Sequence, residues 1–489
     1  MIQLASTPER SIHESASGRD AGLLNAVIAG EARLTPAQAF ELYHTVPVHE
    51  LGRLADARCR AIHGDAVRTY VIDRNINYTN VCSAKCTFCA FRRNGNEHDA
   101  YTLEHEAIYE KTAELQAIGG TQILMQGGMN PALPLSWYTA LLSGLKERFP
   151  RVHVHAFSPP EFIEFVEYFD PPGDSLAAKI RWVMHQLREA GLDSVPGGGG
   201  EIFAPPVRRK IGLGKCDAEA WLTVMGVAHE LGMFTSSTMM FGHIEGVADR
   251  IHHMDLVRRW QDASLAGTPL ALTDAGAGGT PASPTGIAPA HYVSFISWPF
   301  QRENTPLGRL PDWDGPTADH PDFPGDVVAH LDGSGTKALD ARFGRVLRQA
   351  GTTDYLRTQA LSRLYLDNIY SIGASWVTMG PHVGQVALAY GANDMGSVMM
   401  EENVVSSAGT TYCLDEAVLC HLIRGAGFTP AQRDNTYDML TLHDTADAPD
   451  LRVSDWSHHR TRRLHQQTAT ADTGVPAESA PIGLTVAGE

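Results

Sequence analysis

Three cysteines within eight residues carry the most evident chemistry in this 489-residue chain. Cys82, Cys86 and Cys89 stand at C-x3-C-x2-C spacing, shortly after the β-branched stretch Arg68–Asn77. Three thiolates on one tight loop can hold three irons of a [4Fe–4S] cube and leave the fourth iron open. Two other readings attach to the same residues. Structural zinc wants four protein ligands, and His98, the nearest residue of that kind, lies nine positions past Cys89. Three buried thiols with no ligand are the plainest reading. The other cysteines, Cys59, Cys216, Cys413 and Cys420, are scattered, as small buried or half-buried hydrophobes are. Seven is an odd number and sets no disulfide framework.

Further polar and glycine-rich clusters recur along the chain: Gln126-Gly-Gly-Met-Asn130, His155 to Glu161, Pro196-Gly-Gly-Gly-Gly-Glu201, Phe241 to Glu245, Trp298 to Thr305, and Gly391 to Ser397. Most follow a short apolar or β-branched run. The runs are Arg68–Asn77, Gln122–Gln126, Val152–Phe157, Leu192–Val195, Phe234–Phe241, Tyr292–Trp298, Ser375–Met379 and Gln385–Tyr390. Helical periodicity fills the gaps over Glu106–Ile118, Trp137–Phe149, Leu176–Ala190, Ala218–Leu231 and Gly246–Trp260. Strand alternating with helix implies a parallel sheet, and eight such units predict an α/β fold closed as a (β/α)8 TIM-type barrel. In such a barrel every strand ends at one mouth. His155, Glu161, His243, Glu245 and Asp394 then become candidate bases around one cavity.

The rest of the chain frames this unit. Short helices are expected over 22–63, with Pro36 after Thr35 as a helix start. The barrel with these helices spans 22–443, interrupted by loop insertions near 265–290 and 309–351. Residues 1–21 are expected to be disordered and 444–489 loosely ordered. Lys and Arg number 39 against 56 Asp and Glu, a net charge of −17, which disfavours gripping nucleic acid or an anionic membrane through charge. No apolar run approaches a spanning helix, and the first residues lack the pattern of a secretory signal, so a cytoplasmic location is expected.

The cysteine loop after the first strand resembles that of the radical S-adenosylmethionine (SAM) superfamily. The strings RNINYTNVC, HAFSPPE, EAGLDSVPGGGGEI, TMMFGHIE, WPFQRENTPLG, EENVVSSAGT and GFTPAQRD are similar to the cyclic dehypoxanthinylfutalosine synthases of the futalosine route to menaquinone. The resemblance runs from about Phe40 to Asp434. It implies Cys82, Cys86 and Cys89 as ligands of a [4Fe–4S] cluster whose open iron chelates SAM. Reductive cleavage of SAM would yield a 5′-deoxyadenosyl radical. It places Phe88 near the adenine, Gln126, Gly127 and Gly128 at the methionine end of SAM, and Glu201 and Arg209 at its ribose and carboxylate. The implied reaction takes a hydrogen from ribose C4′, closes a ring on the benzoate and loses one proton and one electron. Trp298 and Phe300 would wall the substrate, and Arg302 would hold its carboxylate. A small-molecule substrate and a reductant such as flavodoxin or ferredoxin are the implied partners. Aminofutalosine synthase and the deazaflavin-forming enzymes are the related alternatives, and a non-catalytic iron–sulfur carrier is the alternative of another class.

Overall fold

The computed structural model describes residues 18–267, 290–314 and 343–451. The expected disorder at 1–17, most of both insertions and the tail beyond 451 lie outside the described residues. Three helices come first, Gly18–Ala29, Pro36–Thr45 and Val48–His63. Pro36 opens the second, as expected, because Thr35 and Gln38 form a reciprocal capping box. Leu51, Leu54, Ala55 and Cys59 line one buried stripe of the third, which packs on the helix Thr352–Tyr365.

Among the described residues ten strands follow: β1 (Val67–Val71), β2 (Asp73–Ile76), β3 (Gln122–Met125), β4 (His153–Ala156), β5 (Thr235–Phe241), β6 (Tyr292–Pro299), β7 (Ser371–Gly373), β8 (Asp394–Ser397), β9 (Thr429–Arg433) and β10 (Met439–Leu442). They form a seven-stranded sheet in the order β10-β9-β1-β8-β7-β6-β5 and a three-stranded sheet β2-β3-β4. All pairings are parallel except β9 with β10. Regular ladders do not run unbroken round a barrel. Only Ile72 separates β1 from β2, so one extended stretch joins β8 through its first half and β3 through its second. On the far side, single bridges His155–Ser194 and Val195–Thr235 carry the pairing from β4 to β5. The expected strand Leu192–Val195 is reduced to these two bridges.

The helices Leu176–Ala190 and Ala218–Glu230 lie where periodicity puts them, and Val247–Ala266 extends past the expected end. Two strand expectations fail. Trp376–Met379 and Pro381–Ala387 are short helices, with Pro381 at a first helical position where its missing N–H costs nothing. The strands are instead Ser371–Gly373 and the polar Asp394–Ser397.

The hairpin β9–β10 serves the site directly. Thr429–Arg433 pairs with β1, opposite Val67 to Tyr70. Its turn is held by the Asp434 carboxylate, which accepts from the Thr436 and Asp438 N–H groups. Asn435 in that turn reaches across to donate to Ser194 Oγ at 3.2 Å. The turn thus closes the end of the sheet assembly opposite the cysteine loop.

Candidate active site

The loop that leaves β2 carries the cysteines, and backbone hydrogen bonds pin it at both ends. Cys82 N–H donates to the Arg93 carbonyl (3.0 Å), Ser83 N–H to Met129, and Lys85 and Thr87 N–H to Leu213 and Ile211 (2.8 Å each). The Thr79 hydroxyl donates to the Tyr101 carbonyl and Asn80 Nδ2 to the Asp99 carbonyl, which gives the Thr-Asn pair before the loop its purpose. Cys82, Cys86 and Cys89 gather with Phe88, Ala84 and Met129 in one apolar cluster, and all seven cysteines are unpaired thiols. Burial pushes the Cys82 thiol up and the Cys86 thiol up to about 12. Among the described residues no group of three or more His, Cys, Asp or Glu converges on a single-ion site.

Gly127 and Gly128 meet the cysteine loop from below. A Cβ on Gly128 would come within 2.1 Å of the Val81 carbonyl and 2.9 Å of Cys82 Cβ, and one on Gly127 within 2.5 Å of the Tyr78 ring. The glycine pair is therefore required by packing against the cysteine loop itself. Beside the loop, Lys215 Nζ sits 5.1 Å from the Phe88 ring centroid and 2.9 Å from Glu201 Oε1. Glu201 has φ +37, a backbone conformation that costs a non-glycine residue about 1–3 kcal/mol. Its second carboxylate oxygen, Oε2, is buried without a partner. Arg209 is exposed, contrary to the expectation. The buried arginine is Arg208, which donates to the carbonyls of Gly199, Gly200 and Cys216 and so holds the glycine run in place.

Between these elements and the closing hairpin lies a cavity of about 340 Å³. Gln126, Gly198, Gly199, Trp298, Trp376 and Met399 line it near the strand ends, and Asp73, Gln122, His155, Asp394, Arg433 and Tyr437 line it deeper. Asp394 accepts both Nε (2.8 Å) and Nη2 (2.9 Å) of Arg433, together with the Thr69 hydroxyl and the Gly396 N–H. These donors occupy both oxygens of the carboxylate. Asp73, which the sequence did not single out, accepts from Gln122 Nε2 at 2.9 Å and from Ser397 Oγ, and burial raises its carboxyl. His155 Nδ1 lies 2.6 Å from Ser194 Oγ, and its Nε2 lies 3.4 Å from Ser236 Oγ.

Three of the five expected bases are not brought to this cavity. Glu161 is the third residue of the helix Pro159–Phe169 and completes a capping box with Ser158; it also accepts from the Tyr78 hydroxyl and the Gly127 N–H. His243 and Glu245 are wholly buried in the turn after β5. Glu245 accepts from the Gly242 and His243 N–H groups and from Arg250, which also binds Asp354 and the Tyr43 hydroxyl. Two expected substrate contacts are also displaced. Phe300 packs edge-on to His243, and Arg302 is consumed by Asp312 and the carbonyls of Gly308 and Leu310. Trp298 does line the cavity.

The Glu245 cluster predicts a pH dependence. Burial opposes its charge, yet His243 and Arg250 hold the carboxyl well below the usual range. Its stabilising contribution is therefore present above the unfolded value of about pH 4.3 and is lost as pH falls through the folded value. Glu245→Gln is expected to lower stability by about 3–5 kcal/mol at neutral pH, since Arg250 loses a buried partner. Its acid limb in thermal unfolding between pH 7 and 3 should be shallower than that of the parent. Parallel limbs would remove Glu245 as a source of acid sensitivity.

Comparison with known proteins defines the class. Residues 76–257 match the radical SAM superfamily and 333–446 the CofH/MqnC C-terminal region. A relative named cyclic dehypoxanthine futalosine synthase, from Halalkalibacterium halodurans, is 36% identical over 87% of this chain and 96% of its own length. Aminodeoxyfutalosine synthase of Thermus thermophilus is 33% identical over 85% and 95%. The crystal structure of methylornithine synthase shares the fold, with a TM-score of 0.53 at 16% identity over 84% of this chain and 97% of that one. The chain belongs to the radical SAM superfamily, in the branch that carries the CofH/MqnC C-terminal region, and it is a radical SAM enzyme.

Membership implies a [4Fe–4S] cluster and SAM, and the residues present fit both. The three thiols share one pocket, where burial favours the protonated form of Cys82 and Cys86, and a bound cationic cluster would reverse that preference. The unpartnered Glu201 oxygen beside Lys215 and Phe88 offers a buried acceptor next to that pocket.

Proposed function

We propose that this chain closes the ring of dehypoxanthinylfutalosine, a step of the futalosine route to menaquinone. The observation that supports this reading most is the cavity between the glycine run Gly197–Gly199 and the closing hairpin. Trp298 and Trp376 give it flat apolar walls, and His155, Asp73 and Gln122 a polar interior, which suits a molecule with both an aromatic ring and a sugar. The similarity to the relative named for this reaction, over 96% of its length, points the same way.

Cys82, Cys86 and Cys89 would hold the cluster, which with SAM supplies a 5′-deoxyadenosyl radical. The chain's own residues do the remaining work. The walls exclude water from a reactive carbon radical and hold the ribose C4′ in place. Trp298 packs against the aromatic ring of the substrate. His155, which lines the cavity, accepts the aryl proton at Nε2. Electrons come from a flavodoxin or ferredoxin.

Substrate deuterated at C4′ tests the reading. Deuterium is expected in free 5′-deoxyadenosine, together with a cyclised product two hydrogens lighter. An adenosyl adduct with no free 5′-deoxyadenosine would instead assign the chain to the aminodeoxyfutalosine reaction, the name of its relative from Thermus thermophilus.

A further inference from the structure

Three side chains form a continuous hydrogen-bonded line that starts at the cavity with His155. Ser194 Oγ lies 2.6 Å from His155 Nδ1 and 2.6 Å from His153 Nε2, and it accepts from Asn435 Nδ2 at 3.2 Å. His153 and His155 are two residues apart on β4, so both rings fall on the same face of the strand. His155 is buried and lines the cavity. His153, at the opening end of the strand, is half-buried.

We propose that His155, Ser194 and His153 are a proton relay that carries the proton released on ring closure from the cavity to the opposite end of the strand assembly, with Asn435 as the positioning residue.

Donor arithmetic sets the direction. A serine hydroxyl donates once and accepts twice. Asn435 occupies one acceptor site, so Ser194 receives from one histidine and donates to the other. For His155 to take a proton at Nε2, its Nδ1–H must donate to Ser194, and Ser194 must donate to His153 Nε2. Ser236 agrees with this arrangement, because its oxygen accepts the Gly197 N–H and leaves its own proton to turn toward His155 Nε2. Burial pushes His155 down to about 3, so it stands neutral but holds a captured proton poorly, and a way onward is needed. His153 has the charged neighbours Asp193, Lys146 and Asp434 at that end, and Arg433 acts on His155.

The relay rests on the cyclase reading above. In the step it serves, the sugar radical has already bonded to the benzoate ring. The ring C–H pair returns to the π system, the proton goes to His155 Nε2, and the unpaired electron goes to a one-electron acceptor of the iron–sulfur class. As Nε2 takes that proton, Nδ1–H passes to Ser194, and the serine proton passes to His153.

Two measurements test it. In cofactor-free protein labelled with ¹⁵N-histidine, long-range ¹H–¹⁵N spectra should show His155 and His153 both protonated on Nδ1. Protonation of both on Nε2 would run the line the wrong way and overturn the relay. In the loaded enzyme, the ratio of cyclised product to 5′-deoxyadenosine should fall about tenfold or more in His153→Gln and Ser194→Ala, within the range general-base contributions reach. Ser194→Thr, which keeps the hydroxyl, should recover most of that ratio. An unchanged ratio in His153→Gln sinks the relay while the cyclase reading stands. A wild-type enzyme that yields no cyclised product removes the cyclase reading, and the relay with it.

Discussion

Bound iron is expected to fall from about four per chain to near zero when Cys82, Cys86 or Cys89 is changed singly to Ala. The three share one apolar cluster on a loop fixed by backbone hydrogen bonds to residues 93, 129, 211 and 213, so no neighbouring side chain can swing in as a substitute. Reductive cleavage of SAM should vanish with the iron and the brown absorbance. Cys59 and Cys420 are buried elsewhere and Cys413 is exposed. Alanine at any of these should leave the iron content at the parent level. Anaerobic reconstitution followed by iron and sulfide analysis decides the matter, and a full complement of iron in Cys86→Ala would overturn the assignment.

The second large effect concerns the floor of the cavity. Arg433→Met is expected to destabilise the protein by about 3–5 kcal/mol, because it strands the Asp394 carboxylate in the interior. Side-chain exposures of 7% and 1% leave that pair almost no water. The Arg433 guanidinium also lies 4.0 Å from the Tyr437 ring, so its loss loosens the closing turn as well. Adding Asp394→Asn should recover part of the loss, since the double variant carries no buried charge. Thermal unfolding of the single and double variants reads both outcomes. A single variant as stable as the parent would mean the pair contributes nothing net.

Legibility of the fold in the sequence followed the physics of each element. Amphipathic helices such as Leu176–Ala190 declare themselves, because one stripe must be apolar. The strand Asp394-Met-Gly-Ser397 does not: it lines a polar cavity and so carries no apolar signature. The neighbouring runs Ser375–Met379 and Gln385–Tyr390 look strand-like in sequence and fold as helical turns. The cysteine cluster was legible because its spacing is local. Glu161 showed a local signal of a different kind: Ser-Pro-Pro-Glu is a capping box, which accounts for the acid without catalysis. Val207 and Ile211, one helical turn apart, place Arg208 beside the buried face and Arg209 outside it. Ser194, Arg433 and Asn435 had no such signal. Their roles exist only through partners distant in sequence.

The pairing of β1 with β9 has a consequence for synthesis on the ribosome. Val67 emerges 362 residues before its partner Thr429. Until then the first strand has an unsatisfied edge, and the floor of the cavity is missing because Arg433 and Asn435 do not yet exist as peptide. A nascent chain halted before residue 429 thus presents exposed strand edge to chaperones and to other nascent chains. Completion of the fold therefore waits for a segment that leaves the ribosome long after the strand it covers.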